Sequence, residues 1–373
     1  MVVLLCGCTT PYLGDTEAAL ALEDLASGLG GSRLSEQTPA PVRDTFNYPT
    51  SLGERSADLY LSPQGARAGI VLVPGAVAQG GRDPRLVAVA RTLARLRFAV
   101  LVPDMPGVRR FRLRATDADE VAAAFAWLVA RPELAPQGAA GIAGFSYGAG
   151  PVLLAAMQPG IREQVRFVMS VGGYYSLHNV IAYLTTGYPA TTVPAAEMGF
   201  ADVRPGPPHP YGVAVFIRSN LDLMERSVDR GFLRSYADYL AGEPGSEDEP
   251  VPAMLAPDAR AFYELLINPD PTRIPALVER LPERIRVQLD GIDPSAHNPS
   301  ELKTRLILLH GRGDNLVPYT ESIGLANALP EGQAQLFLID GLAHVDLKPA
   351  PRDIPQLLAA LEALLAQRVN PNP

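Results

Sequence analysis

Short apolar runs that alternate with amphipathic helical stretches constrain this chain more than any other feature. Residues 68–73, 98–102, 139–145, 165–171, 305–309 and 335–339 are five to seven residues long and almost wholly apolar. Such runs are expected of strands buried on both faces. Between the first two, residues 85–96 carry Leu86, Val89, Ala90, Leu93 and Leu96 at helical spacing. Further helices are expected over 117–129, 151–157, 320–329 and 354–367. The first of these opens with acidic residues, which suit the positive end of the helix dipole. Strand and helix in alternation predict an α/β class with a mostly parallel, doubly wound sheet covered on both faces.

The rhythm is interrupted once. Residues 176–300 are rich in proline, contain helical pieces over 222–239, 259–267 and 274–281, and carry an acidic break at 243–250. They read as an α-helical cap inserted into the α/β core, which then comprises 51–175 and 301–373. At the start of the core, residues 57–61 alternate like an edge strand. Residues 1–50 read as a leader, with a short helix over 16–29 and an extended stretch over 38–50 that holds three prolines.

The only two cysteines, Cys6 and Cys8, lie at the extreme N-terminus, so the body of the chain has no disulfide, thiol nucleophile or cysteine metal site. Residues 1–8 are apolar and end in small side chains. Leu5-Cys6-Gly7-Cys8 resembles a bacterial lipobox, which implies Cys8 as a lipid attachment site, association with a membrane through that anchor, and a place in the cell envelope. The alternative is an ordinary apolar N-terminus on a cytoplasmic protein. A net charge of −8 argues against general nucleic-acid binding. Neither a Walker loop nor a dinucleotide-type glycine run is present.

In sheets of this kind ligands bind at the carboxyl ends of the strands. Gly75, Asp104, Ser146, Tyr174, Asp314 and His344 all fall in the loops that follow predicted strands. Ser146 sits in Gly144-Phe145-Ser146-Tyr147-Gly148, between a strand and a helix. In a G-x-S-x-G turn of this type the serine stands at the strained tip, and small neighbours make the turn possible. The N–H of the next residue, Tyr147, then lies at a helix N-terminus, where it can stabilise an oxyanion. A serine hydroxyl needs a base. Of the five histidines, His344 follows a strand in a glycine-containing loop; His310 falls inside the core and reads as a packing residue, and His178, His209 and His297 lie in or near the cap. Asp314, after the preceding strand, is the candidate acid to orient His344, with Asp340 and Asp346 as rivals. Tyr174 and Tyr175 line the pocket or pack at the base of the cap. The basic run at 109–114 either grips an anionic group or is a solvated loop.

From residue 59 to the C-terminal helix the chain resembles the α/β-hydrolase superfamily. The resemblance rests on Gly144-Phe145-Ser146-Tyr147-Gly148, on His310-Gly311-Arg312-Gly313-Asp314-Asn315-Leu316-Val317-Pro318 and on Gly341-Leu342-Ala343-His344, in the order Ser, Asp, His. It implies a Ser146–Asp314–His344 mechanism through an acyl-enzyme, acting on a small-molecule acyl or ester substrate without metal or organic cofactor. It also places the second oxyanion donor at Ala76 or Val77, where Pro74-Gly75 stands in place of the His-Gly common in the family. Carboxylic-ester hydrolysis is the expected activity. Acyl transfer or peptide hydrolysis by the same triad, and a non-catalytic binding protein of the cell envelope, are the alternatives.

Overall fold

The computed structural model describes residues 14–50, 52–188, 209–246, 248–250, 254–344, 346–347 and 350–369. Cys6 and Cys8 lie outside them, and so does the expected lipid attachment. Eight strands form one sheet: β1 (Val42–Thr50), β2 (Gly53–Leu61), β3 (Ala68–Val73), β4 (Phe98–Pro103), β5 (Ala140–Phe145), β6 (Phe167–Val171), β7 (Arg305–Gly311) and β8 (Ala334–Ile339). Their spatial order is β1-β2-β4-β3-β5-β6-β7-β8. The β1/β2 and β2/β4 pairs are antiparallel, and every pair from β4/β3 to β7/β8 is parallel.

The core helices are α1 (Glu17–Ser27), α2 (Arg33–Gln37), α3 (Pro84–Arg95), α4 (Pro106–Arg109), α5 (Thr116–Val129) and α6 (Ala149–Met157). The cap supplies α7 (Leu177–Thr186), α8 (Pro210–Asn220), α9 (Ser227–Ala241), α10 (Pro257–Leu266), α11 (Ile274–Glu279) and α12 (Glu283–Gly291). Helices α13 (Thr320–Asn327) and α14 (Ile354–Leu365) return to the core. Side chains alternate across each strand. Along β3, Ile70 and Leu72 pack with Leu86 and Leu93 of α3 and Leu357 and Leu361 of α14. Val71 and Val73 face the other way, among Phe125 and Leu128 of α5 and Val152 of α6. Both faces are thus covered, which is why these strands read as unbroken apolar runs. The cap's buried side chains, among them Ile181, Ile217 and Phe262, continue the α5/α6 side of this core.

Two expectations change. Residues 17–50, read as a leader, belong to the folded unit. Helix α1 is fixed to α3 by a 2.6 Å hydrogen bond from the Thr92 hydroxyl to Asp24, and β1 is the outermost strand of the sheet. Its proline, Pro49, is tolerated there because an edge strand leaves one side of its backbone unpaired. Phe46 and Tyr48 anchor β1 by packing on Trp127 of α5, with ring centroids 5.0 and 5.4 Å away. In the cap, the single helix expected over 222–239 is α9 alone, and α8 precedes it. The apolar stretch 213–217 has no clean helical stripe because Val213, Ala214, Phe216 and Ile217 are all buried.

Candidate active site

The geometry begins at the turn from β5 to α6. Ser146 has φ +52, a conformation disfavoured for a residue with a side chain. A Cβ on Gly148 would stand 2.5 Å from the Pro74 carbonyl oxygen, so glycine is required there for the turn to nest against the loop after β3. That loop passes directly over the serine. A Cβ added to Gly75 would lie 3.2 Å from Ser146 Cβ and 3.7 Å from its Oγ. The Tyr147 side chain is turned inward, its hydroxyl donating to Asp117 Oδ2 at 2.7 Å and its ring stacked on Tyr174 at 6.3 Å. Its backbone amide therefore stays at the entrance to α6, among the N–H groups that lack an intrahelical acceptor.

Of the two candidates for the second oxyanion donor, Val77 is occupied: its N–H donates to the Gly75 carbonyl at 2.9 Å in a tight turn. Among the described residues no backbone acceptor takes the Ala76 N–H, and Ala76 follows Gly75, which lies against Ser146.

Asp314 lies after β7 and is buried. Its Oδ1 accepts the N–H groups of Leu316 and Val317, both at 2.9 Å. His344, after β8 with φ +50, presents Nδ1 at 2.9 Å from Oδ2 and 3.1 Å from Oδ1. The second ring nitrogen, Nε2, is then the atom available to a nucleophile. Among the described residues no hydrogen bond joins Ser146 to His344. Contacts of this kind commonly tighten only once substrate is bound.

His310 is fully buried behind Asp314. Its Nε2 lies 2.9 Å from the Val317 carbonyl and 3.5 Å from Asp314 Oδ2, and its Nδ1 lies 2.7 Å from the Ser322 hydroxyl. Two acceptors at Nε2 place the proton there and leave Nδ1 to accept from Ser322. Burial pushes the Asp314 carboxyl up, but hydrogen bonds from His310 and His344 outweigh it and hold the group well below the usual carboxylate range. The rival Asp340 pairs instead with Arg312 and Arg352, at 3.3 and 2.9 Å.

Ser146, Tyr147, Ala76, Val77 and His344 all line one cavity of about 520 Å³. Its other walls are largely apolar and come from α3 (Leu86, Val89), from α7 (Leu177, Val180, Ile181, Leu184) and from α8 (Val215, Phe216). Tyr174 lines it too, with its hydroxyl donating to the Ile292 carbonyl at 2.8 Å. Tyr175, the next residue, points away: its ring lies 3.8 Å from the Cβ position of Gly324 in α13, outside the cavity. The charged residues at the wall, Asp83 and Arg85, pair with each other at 2.9 Å. Two arginines of the basic run after β4 make short structural ties. Arg109 pairs with Asp104 at 3.0 Å, and Arg114 with Asp222 of the cap at 2.6 Å. Among the described residues no group of three or more His, Cys, Asp or Glu side chains is arranged to hold a metal.

Two cavity residues stand at the start of α8: His209, which sequence reasoning placed only in or near the cap, and Tyr211, which it did not single out. The signal for the helix start was present, since Pro210 occupies its first turn and the His209 side chain caps it. Nothing local, however, ties that start to the active-site loops.

No family model matches the chain, and neither does any curated protein. Among solved structures, it is similar to a puromycin-hydrolyzing peptidase from Mycobacterium tuberculosis, at 17% identity over 87% of this chain and 39% of that one, with a TM-score of 0.44. It is also similar to a dienelactone hydrolase from Anabaena variabilis (15% identity, 88% of this chain and 97% of that one, TM-score 0.45). Carboxyl esterase 2 from the mycorrhizal fungus Tuber melanosporum is a third (16% identity, 91% and 90%, TM-score 0.49). The chain spans about two fifths of the length of the puromycin-hydrolyzing peptidase. The fold reading stands on the chain's own topology: a mostly parallel eight-stranded sheet flanked by helices, with a strained serine after β5 and an acid and a histidine after β7 and β8. This is the α/β-hydrolase architecture.

Proposed function

We propose that this protein is a serine hydrolase that cleaves carboxylic esters with uncharged, apolar acyl groups. One observation carries the reading: a strained serine shares an apolar cavity with a histidine whose Nδ1 is held by a buried carboxylate. Ser146 Oγ attacks the ester carbonyl carbon as its proton passes to His344 Nε2. Asp314 holds the ring in the tautomer that can accept this proton and stabilises the imidazolium that results. The amides of Tyr147 and Ala76 receive the oxyanion. Collapse expels the alkoxide, which takes the proton from His344 and leaves the acyl group on Ser146. Water, deprotonated by His344, then releases the acid and restores the serine. The self-paired charges of Asp83 and Arg85 and the apolar walls support an uncharged acyl group over a charged one.

The test is reaction with a fluorophosphonate, with the adduct mapped by mass spectrometry. Labelling at Ser146, lost in Ser146→Ala together with p-nitrophenyl ester hydrolysis, is the expected result. A folded protein labelled elsewhere, or equal ester turnover by Ser146→Ala, would overturn the reading. The second outcome would favour a binding protein on this fold. Acyl transfer would show instead as acceptor-dependent product at constant nucleophile labelling.

A further inference from the structure

The beginning of α8 touches both loops that carry the reaction centre. Tyr211 Oη donates to the Ala76 carbonyl oxygen at 3.1 Å. The His209 N–H donates to the carbonyl of Asn315, the residue after Asp314, at 3.2 Å. The His209 ring ties these two contacts together, its Nδ1 accepting the Tyr211 N–H at 3.2 Å. From α7, the Tyr183 hydroxyl donates to the Asp314 carbonyl at 3.2 Å. These helices belong to the cap, 135 residues along the chain from Ala76 in the case of Tyr211.

The Ala76 carbonyl is an unusual group for a cap to hold. It belongs to the same peptide unit as the Val77 N–H, which donates to Gly75 O at 2.9 Å. That peptide plane is therefore held at both polar ends, at its N–H by the Gly75 carbonyl of the neighbouring peptide unit and at its oxygen by the cap through Tyr211. Because a peptide is planar, fixing it leaves the preceding unit only the two dihedrals at Ala76. The preceding unit joins Gly75, which lies against Ser146, to Ala76 and carries the Ala76 N–H, the second oxyanion donor under the hydrolase reading. Donors that are aimed before the reaction cost no reorganisation when the oxyanion forms.

We propose that Tyr211 is a positioning residue for the oxyanion loop, so that the cap sets the aim of the Ala76 amide as well as lining the acyl pocket. The inference rests on the serine-hydrolase reading. Tyr211→Phe keeps the ring in the wall of the cavity and removes only the hydrogen bond. It should lower kcat on p-nitrophenyl butanoate about ten-fold, a loss of the size of one ordinary hydrogen bond. KM should stay within about two-fold, because the substrate meets the same surface. Fluorophosphonate labelling should slow by the same factor as kcat. Binding of a trifluoromethyl ketone, whose adduct places an oxyanion in the site, should weaken in parallel. A thermal melt within a few degrees of wild type shows that the fold is kept. If kcat and the labelling rate stay within about two-fold of wild type, or if KM rises while kcat holds, Tyr211 only lines the pocket and the inference fails. If the wild-type protein is not labelled at Ser146, the hydrolase reading fails and the inference falls with it. Wild-type labelling with an unaffected Tyr211→Phe variant sinks the inference alone.

Discussion

Replacing Asp314 by asparagine changes one atom and tests how the site assigns protons. In the wild type Oδ1 accepts two backbone N–H groups, from Leu316 and Val317, while Oδ2 faces His344 Nδ1 at 2.9 Å and His310 Nε2 at 3.5 Å. An asparagine must put its NH2 group at one of these two places. At the Oδ1 position it would set a donor against two backbone donors, at a cost of several kcal/mol for buried unpaired groups. The amide nitrogen therefore takes the Oδ2 position and donates to His344 Nδ1, since the one donor it opposes there, His310 Nε2–H at 3.5 Å, keeps the Val317 carbonyl as its acceptor at 2.9 Å. The ring is driven to the tautomer with its proton on Nε2, where it can no longer accept the proton of Ser146. A mis-tautomerised triad histidine costs about 10⁴ in kcat, or about 5.4 kcal/mol of transition-state stabilisation. Wild-type Asp314 stays ionised throughout the range in which the protein would be assayed, since His310 and His344 outweigh burial and hold its pKa below the normal carboxylate value. The loss should therefore appear at every pH from 5 to 9 rather than as a shifted acid limb. The fold should survive, because both backbone N–H groups keep their acceptor. The assay is kcat/KM on a short-chain p-nitrophenyl ester, beside a thermal melt. A folded Asp314→Asn protein within about ten-fold of wild type would refute the assignment of Asp314 as the orienting acid.

Two other perturbations read separate parts of the molecule. Val215→Trp on α8 fills part of the 520 Å³ cavity from its cap wall. It should cut kcat/KM for octanoyl esters at least about ten-fold relative to acetyl esters, of the order of two to three lost methylene contacts; equal losses on both chain lengths would deny the acyl group that wall. Glu321 lies buried beneath the start of α7, accepting the N–H groups of Tyr175 and Ser176, and burial pushes its carboxyl from 4.5 up to about 7. Because the folded value is raised, the stability it contributes is full below about 4.5 and is lost as pH rises through 7, by up to roughly 3 kcal/mol. Glu321→Gln, which keeps an acceptor oxygen and has no proton to lose, should therefore gain in Tm relative to wild type between pH 5 and pH 8; parallel Tm curves would show that the burial of Glu321 carries no such penalty.

What could be read from the sequence follows from what is local. A strand covered on both faces has no solvent side to encode, so β3, β4, β5, β6 and β7 announced themselves as apolar runs, and the loop after each was fixed by where the run stopped. The candidates Ser146 and Asp314 could be picked out because each follows such a run, and His344 because it lies in the loop after β8, a half-exposed edge strand that still reads as an apolar run. β1 was not legible. It is mostly exposed, broken by Pro49, and held by contacts of Phe46 and Tyr48 with Trp127, which is far along the chain. That the Val77 N–H is engaged was also closed to sequence, since it rests on one 2.9 Å hydrogen bond within a three-residue turn. Tyr174 and Tyr175 differ only in which way the chain leaves β6. The part played by Tyr211 depends wholly on how the cap docks, and no periodicity within residues 176–300 encodes that.

His310 shows why the local reading was right in type and incomplete in consequence. A buried histidine at a strand end is commonly a hydrogen-bonding core residue, and here it is one. Yet its Nε2 holds the carbonyl of Val317, whose N–H in turn caps Asp314 Oδ1. The Ser322 hydroxyl of α13 fixes the tautomer that makes this possible. Asp314 is thus oriented by α13, by the loop after β7 and by His310 before His344 contributes anything. A carboxylate so constrained can be buried without becoming neutral, because the cost of desolvating its charge is met by donors that are already in place. Under the proposed function His344 then needs only one fixed partner, and its other nitrogen is left to move a proton within the apolar cavity. The helix that follows β7 therefore reaches Asp314 through His310 even though none of its residues lines the cavity.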